Sequence, residues 1–501
     1  MLSTLVKVVT LCSMLLVSVM VFNAAFPPQT PALPVAPRVI PHDALNGTRL
    51  ASHLSHMVTF DTTTRFVGDV PARPILDKMH AYLAAAFPRT HAALEREEVE
   101  ESGSVLYVWR GSDASLAPYL LAAHLDVVPA DSVDDWEVPP FSGAVSQDGY
   151  VYGRGTLDNK VNVLGQLEAV EELLGRGFAP KRTLYLAYGA DEEVMGTRGA
   201  AVLAKLVKAD MEKHYPGADK LFFVSDEGLA IAHDMVPGIP VAGLIGIAEK
   251  GYTNVKLEVA MTGGHASMPH PGENAVGVLA KAVVALDSNP FPAALGSVTR
   301  AMLASLCPEM PFHLRLVMCN LWATDWLVSS ILLAKPATAA QLRTTTSVNI
   351  LKGGSKANVV ADTASAVLNH RIVSTESVSS VLQHDKDLVN DDRVKISIEG
   401  PPTEPSPVSD PESTQFGLIA SALRSIFPDA IPAPGLLMAC TDTKYYLELS
   451  DHVFRFMPIR VTSSDLPRIH GVNERISVEN FVDVVAYYAQ LISQVDQISP
   501  P

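Results

Sequence analysis

The chain has 501 residues, 48% hydrophobic and 18% charged, with no repeat or low-complexity block, so it is expected to be ordered nearly throughout and to form two globular units. A net charge of -16 and the lack of any Lys/Arg cluster exclude a nucleic-acid surface. Four cysteines, with Cys12 in an apolar segment, exclude a disulfide scaffold and a thiolate metal cluster, which leaves His, Asp and Glu as metal ligands.

Val8 to Phe26 contains no charged residue and follows Lys7. It just reaches the length of a membrane span, and no small-x-small cleavage site follows it. Residues 1–26 are therefore read as a signal anchor, the alternative being a cleaved signal peptide. Lys7 keeps the preceding end cytosolic and sends the rest into the secretory lumen. The proline run from Pro27 predicts an extended stalk over residues 27–44, and Asn46-Gly47-Thr48 is a glycosylation sequon beside it. Cys307 and Cys319 read as free buried thiols rather than as a pair.

Further along, Ala117 to Ala123 forms a short apolar run that ends in His124-Leu125-Asp126. Lys181 to Gly189 is a second, ending in Asp191-Glu192-Glu193, and Lys220 to Val224 a third, ending in Asp226-Glu227. Between the first two, Val161, Leu164, Leu167, Val170 and Leu174 recur at helical spacing, with Gly175 as the stop. Strand, helix, strand in this order predicts a parallel sheet, and ligands of such sheets gather at the carboxyl ends of the strands, where these acids fall. One acid after a strand is an ordinary helix cap. Three strand ends with a histidine among them make a site.

The texture changes near Lys250. Thr253 to Met261 reads as a strand, Gly263 to Ser267 as a loop, Asn274 to Asp287 as a helix, and Thr345 to Leu351 and Ala364 to Ile372 as strands. Residues 250–400 are accordingly expected to be an inserted α+β domain. Residues 45–249 and 401–498 are the catalytic domain, closed by a helix over Val478 to Val495. Within the insert, Leu316 to Ala334 is apolar but holds Asp325, which fits a buried lid helix or an apolar substrate wall better than a second membrane span.

A site that holds a pair of cations about 3.5–4 Å apart needs one carboxylate to span them. Asp158 is the candidate. It follows the tight turn Gly153-Arg154-Gly155 and precedes the first helix. With His124, Glu193, Asp226 and His470, the last from His470-Gly471-Val472-Asn473-Glu474, it offers two ligands to each metal and one shared.

Taken in order, His124-x-Asp126-x-x-Pro129, Gly153-Arg154-Gly155-x-x-Asp158, Asp191-Glu192-Glu193, Asp226-Glu227-Gly228 and His470-Gly471-x-Asn473-Glu474 resemble the di-zinc aminoacylase/carboxypeptidase metallopeptidase family. The nearest branch is that of carboxypeptidase S and the N-fatty-acyl-amino acid synthase/hydrolases. The resemblance covers roughly residues 45 to 498 and implies an α/β fold: a zinc-exopeptidase-like catalytic domain with a central, mostly parallel sheet, plus an inserted lid and dimerisation domain.

It also implies the roles. His124 and Asp226 hold one Zn2+, Glu193 and His470 the other, and Asp158 bridges, with Co2+ or Mn2+ as alternatives. Asp126 orients the His124 imidazole. Glu192 is the general base that takes a proton from the attacking water and delivers it to the leaving amine. His265 steadies the developing oxyanion, often across a dimer interface, and Asn358 and Arg371 grip the substrate's carboxylate.

The implied function is hydrolysis of amide bonds next to a free carboxylate, on small peptides or, as the alternative, on N-fatty-acyl amino acids. The expected location is membrane-anchored in the vacuole or lysosome, with secretion as the alternative. A membrane-tethered binding protein without turnover is the reading from another class, and the complete ligand set together with Glu192 argues against it. Two departures touch the pocket rather than the metals: Met438-Ala439-Cys440 stands where a glycine-rich turn is expected before Thr441-Asp442-Thr443, and Ala361 replaces a proline after Asn358-Val359-Val360.

Overall fold

The computed structural model describes residues 2–27 and 35–498. The two apolar runs become the strands Tyr119–His124 and Leu184–Gly189, buried on both faces as a run without polar alternation requires. They pair in parallel with His124 opposite Gly189, and the helix Lys160–Gly175 is the crossover between them.

Around this unit lies an eight-stranded mixed sheet in the order Glu95–Val99, Ser104–Trp109, Leu184–Gly189, Tyr119–His124, Val224–Val236, Val453–Val461, Ile239–Glu249 and Ile431–Leu437. Its central neighbours run parallel, while the strands at the Glu95 edge and the hairpin made by Val224–Val236 with Ile239–Glu249 are antiparallel. Side chains alternate between two packed layers. Tyr107, Leu121 and Leu186 face the helices Lys160–Gly175 and Val478–Val495, whereas Leu106, Leu120 and Tyr185 face Leu203 and Val207 of the helix Ala200–His214. The first pair of helices comes close at Gly165, where a Cβ would lie 2.5 Å from Val484.

One strand differs from its expected extent. It begins at Val224 rather than ending there, so Asp226 and Glu227 sit inside Val224–Val236 instead of following it. The neighbouring strand is out of step at this point, pairing Arg455 with Asp226 and Phe456 with Leu229, and the irregularity frees Glu227 from the ladder.

A second, four-stranded antiparallel sheet is formed by Thr345–Gly353, Thr363–Ile372, Gly251–Ala260 and Val394–Thr403, covered by the helices Ala275–Ser288 and Val378–Val389. Between them in sequence, the apolar segment expected as a lid forms two helices, Phe312–Met318 and Leu321–Leu333, bent by 102°. It packs on Leu295, Leu303 and Leu342, and Leu314 and Met318 lie on the Ile239 and Ala433 edge of the large sheet. Cys307 and Cys319 form a disulfide, correcting the free-thiol reading: the bend after Met318 brings their Cα atoms to 5.5 Å, within bonding range.

The expected stalk falls partly outside the described residues, at 28–34. Its second half is not extended away from the body. Ile40 is buried, Arg38 donates to the Ser425 and Ile426 carbonyls at 3.2 and 2.7 Å, and the Val39 amide donates to Gln490 at 2.8 Å.

Candidate metal centre

Asp158 stands between two imidazoles. Its Oδ1 is 2.9 Å from His124 Nε2 and its Oδ2 is 3.0 Å from His470 Nε2. His470 Nε2 also lies 3.3 Å from Glu193 Oε2, and His124 Nε2 lies 3.4 Å from Glu227 Oε2. Ligand atoms of His124, Asp158 and Glu193 fall within 4.8 Å of one another, as do those of His124, Glu192 and Glu227. His124 is buried, whereas the His470 side chain is 51% exposed, so the cluster opens to solvent on the His470 side.

The turn that presents Asp158 requires its glycines. Gly153 and Gly155 have φ of 146° and 94°, and a Cβ on Gly153 would lie 2.2 Å from Val58. What holds the turn is Glu474, whose role the sequence reading left blank. Glu474 Oε1 accepts the amides of Gly155, Leu157 and Asp158 at 3.0, 2.7 and 3.1 Å, and Oε2 accepts Arg154 Nη1 at 2.7 Å. Arg154 also donates to the His470 carbonyl at 3.1 Å, tying the late loop to the early turn. That loop closes at Gly471, where a Cβ would meet the Pro467 carbonyl at 2.0 Å. Both charged groups are buried, so Glu474→Gln leaves Arg154 unpaired. A loss of about 3–5 kcal/mol in stability is expected by chemical denaturation, and a change below about 1 kcal/mol would contradict this role.

Asp126 supports the acids more than the histidine. Its Oδ1 accepts the Glu192 amide at 3.0 Å, and its Oδ2 accepts the Glu193 amide at 3.2 Å and the Thr64 hydroxyl at 2.9 Å. The atom nearest to His124 Nδ1 is instead the Asp126 carbonyl at 2.9 Å, with the carboxylate at 3.5 Å. Adjacent amides on one carboxylate fix the backbone so that Glu192 and Glu193 leave it in different directions.

Charge is unbalanced here. Among the described residues, the five carboxylates of Asp158, Glu192, Glu193, Asp226 and Glu227 gather about two imidazoles, those of His124 and His470, with Arg455 as a further cation beside Asp226. Burial raises Glu227 to about 8 and Asp226 to about 6, the first helped by Asp158 and the second by Glu249. Burial, then the charge of Glu227, lifts Glu192 well above the usual carboxyl range. Burial acts the same way on Asp158 but is outweighed by His124 and His470, which hold it below that range. The bonds from Asp158 and Glu193 lift His470 to about 10. Glu193 Oε1 and Asp226 Oδ2 are buried with no hydrogen-bond partner among the described residues. Excess buried carboxylate, orphaned oxygens and imidazole nitrogens facing the same space fit a pair of divalent cations.

Glu227 was missed by the sequence reading, which singled out its neighbour Asp226. Glu227 also accepts Asn159 Nδ2 at 2.6 Å, and the adjacent acidic pair was the only signal for it.

The remaining candidates fall in two places on the inserted sheet, Arg371 at one end and His265 with Asn358 at the other. Arg371 packs on the Tyr252 ring at 4.9 Å and donates to Cys440 Sγ at 3.7 Å, at the end of the second sheet where its chain enters from Lys250. His265 and Asn358 sit together, with His265 opposite Val359 and the Ala266 amide donating to the Asn358 carbonyl at 3.2 Å. They flank the far end of the strand Thr363–Ile372, roughly 26 Å from Arg371 at about 3.3 Å per residue. Within one chain, Asn358 and Arg371 are thus separated by the length of the strand Thr363–Ile372.

Comparison with known proteins matches residues 120–494 to the family described as Peptidase family M20/M25/M40. The chain is 39% identical over 458 residues to a probable carboxypeptidase S-like 2 of Dictyostelium discoideum, covering 90% of this chain and 86% of that protein. It is 41% identical over 427 residues to the N-fatty-acyl-amino acid synthase/hydrolase PM20D1.1 of Danio rerio, covering 84% and 81%. Among solved structures it resembles the M20 family metallo-carboxypeptidase Sso-CP2 from Sulfolobus solfataricus, with a TM-score of 0.67 at 15% identity, over 90% of this chain and 99% of that one.

Proposed function

The chain belongs to the M20/M25/M40 peptidase family, and on that premise we propose that it is a metallo-carboxypeptidase that hydrolyses the amide next to a free carboxylate in small peptides. The observation that carries this reading is Asp158 held between His124 and His470 beside the Glu192-Glu193 pair. In this reading His124 and Asp226 hold one Zn2+, Glu193 and His470 the other, and Asp158 is shared, with Glu227 also within reach of His124. Co2+ or Mn2+ suits the same ligands.

When bound, such a pair of cations polarises the scissile carbonyl and makes water acidic enough to lose a proton near neutral pH. Glu192 receives that proton at its carboxylate and returns it to the departing nitrogen. Arg371 presents a planar fork to the substrate's carboxylate and so selects for a free C-terminus. His265 donates to the oxygen that gains charge as the carbonyl is attacked.

His265 lies a strand's length from Arg371 in its own chain, which supports a homodimer in which His265 of the partner subunit completes each site. If so, Glu192→Gln and His265→Ala chains, each inactive alone, restore about a quarter of wild-type activity when co-assembled in equal amounts, since half of the dimers are mixed and one site in each is intact. Mixed dimers without activity would remove the partner from the mechanism.

Hydrolysis or condensation of N-fatty-acyl amino acids is the second reading, favoured by the Danio rerio relative. Turnover of dipeptides compared with N-acyl amino acids of rising chain length separates the two. A profile that climbs with chain length selects the acyl substrate, and a flat one the peptide.

The helix Leu2–Ala25 supports a signal anchor, with the body on the lumenal side of the secretory pathway, in a vacuole or lysosome. Its neighbour Asn320 supports retention of the helix after synthesis. This fully buried amide donates to the Met20 carbonyl at 3.0 Å and accepts from Asn23 Nδ2 at 2.9 Å, partners that cleavage would remove.

A further inference from the structure

We infer that the bent helix pair Phe312–Met318 and Leu321–Leu333 is a membrane-seated platform, with Trp322 and Trp326 in the headgroup layer of the bilayer that the helix Leu2–Ala25 enters. This rests on the reading of Leu2–Ala25 as an anchor, and the experiment below separates the two.

The first observation is a predominantly apolar helix that turns two tryptophans outward. Leu321–Leu333 carries one charge, Asp325, and that charge is paired with Arg300 and accepts the Ser329 hydroxyl at 3.2 Å. One side, through Thr324 and Val328, packs on the body. The opposite side leaves Trp322 and Trp326 at 59% and 70% exposure, and Ile331, on the stripe of Thr324 and Val328 but beyond the packed part, is 54% exposed. Trp322 and Trp326 stand one turn apart on one stripe. A stripe of large apolar rings is either covered by protein or faces lipid, and the body leaves this one uncovered. Indoles concentrate at membrane interfaces because the ring is apolar while its N–H needs a polar partner.

The second observation fixes the occupant. The residues Thr4–Ala25 form a continuous apolar helix whose side chains lie outside the body except at its end, where Ala24 is buried and Asn23 bonds Asn320. At about 1.5 Å per residue it is roughly 33 Å long, enough for a hydrocarbon core of about 30 Å. The end of this span is joined to the corner of the bent pair through Asn320. Its Oδ1 accepts from Asn23 and from the Trp322 indole at 3.2 Å, while its Nδ2 donates to the carbonyls of Met20 and Leu316. Where the anchor leaves the hydrocarbon, the tryptophan stripe begins. A bilayer that receives the anchor therefore meets the platform in the same plane.

Rigidity is the third element. The disulfide Cys307–Cys319 staples the residue before Asn320 to the end of the helix Ser297–Leu306, and Leu306 and Met310 are buried against Ile239, Ala242 and Ala433 of the large sheet. The body is thus fixed against the membrane rather than hung from a stalk, which agrees with the packed course of residues 37–40.

Two of the four tryptophans, Trp109 and Trp136, are buried in the body, so emission changes report on Trp322 and Trp326. The full chain is reconstituted into phosphatidylcholine vesicles with brominated acyl chains, and vesicle pelleting, tryptophan quenching and quenching by aqueous iodide are read together. The expected result is a chain that pellets, loses about half of its emission to the bromolipid and is shielded from iodide. The double variant W322F/W326F is expected to pellet equally while losing the bromolipid effect. A chain that stays in the supernatant overturns the anchor and the platform together. A chain that pellets with its tryptophans open to iodide and untouched by bromolipid overturns the platform alone. Shielding from both quenchers, with cross-linked dimers, assigns the face to a second copy and likewise overturns it.

Discussion

Glu192→Gln is expected to lower kcat by about 10²–10⁴-fold while the bound metal stays at its wild-type level. Gln keeps the volume of the side chain and leaves the backbone bond from Glu192 N to Asp126 intact, so the neighbouring Glu193 keeps its place. What is lost is the carboxylate that receives a proton and returns it. Burial and the nearby Glu227 raise the Glu192 carboxyl well above its usual range, so that it holds a proton more readily than a surface acid. Steady-state kinetics and elemental analysis of the same preparation decide the matter. Wild-type turnover at full metal content would assign the proton to another group.

Asp158→Ala carries a different signature, because among the described residues it removes the one carboxylate that touches both imidazoles. Metal content is expected to fall from about two ions per chain to one or fewer, and activity to fall with it. The chain should still fold, since the turn is held by Glu474 through the amides of Gly155 and Leu157 rather than by the Asp158 side chain. An unchanged circular dichroism spectrum with depleted metal is the expected pattern. Retention of both ions would show that Asp158 does not bridge.

Much of this was legible in the sequence, and the physical reason is local. The helix over Val478 to Val495 and the strands ending near His124 and Gly189 follow from apolar periodicity and from glycine stops, which are properties of adjacent residues. The convergence of His124, Asp158, Glu193 and His470 was readable because each sits in a short motif and the motifs in order resemble one family, and for Asp158 and His470 neighbouring glycines also constrain the turn. Long-range pairings were less legible. Glu474 meets Arg154 across 320 residues, and nothing in either segment announces the other. Glu227 was passed over for Asp226 because the strand was expected to stop at Val224, whereas an irregular pairing carries it through both acids. The separation of Asn358 from Arg371 by the length of the strand Thr363–Ile372 was likewise not legible in either short motif. The apolar run Leu316 to Ala334 had the composition of a lid, and only the packing shows that it bends at Asn320 and turns its tryptophans outward.

The most direct test of the metal-dependent hydrolase is a reconstitution. The purified full chain is stripped with a chelator, dialysed, and titrated with zinc while hydrolysis of dipeptides and N-acyl amino acids is followed. The expected result is background activity in the stripped chain and recovery that saturates near two equivalents per chain. A stripped chain, verified free of metal, that still hydrolyses these substrates at the wild-type rate would contradict it.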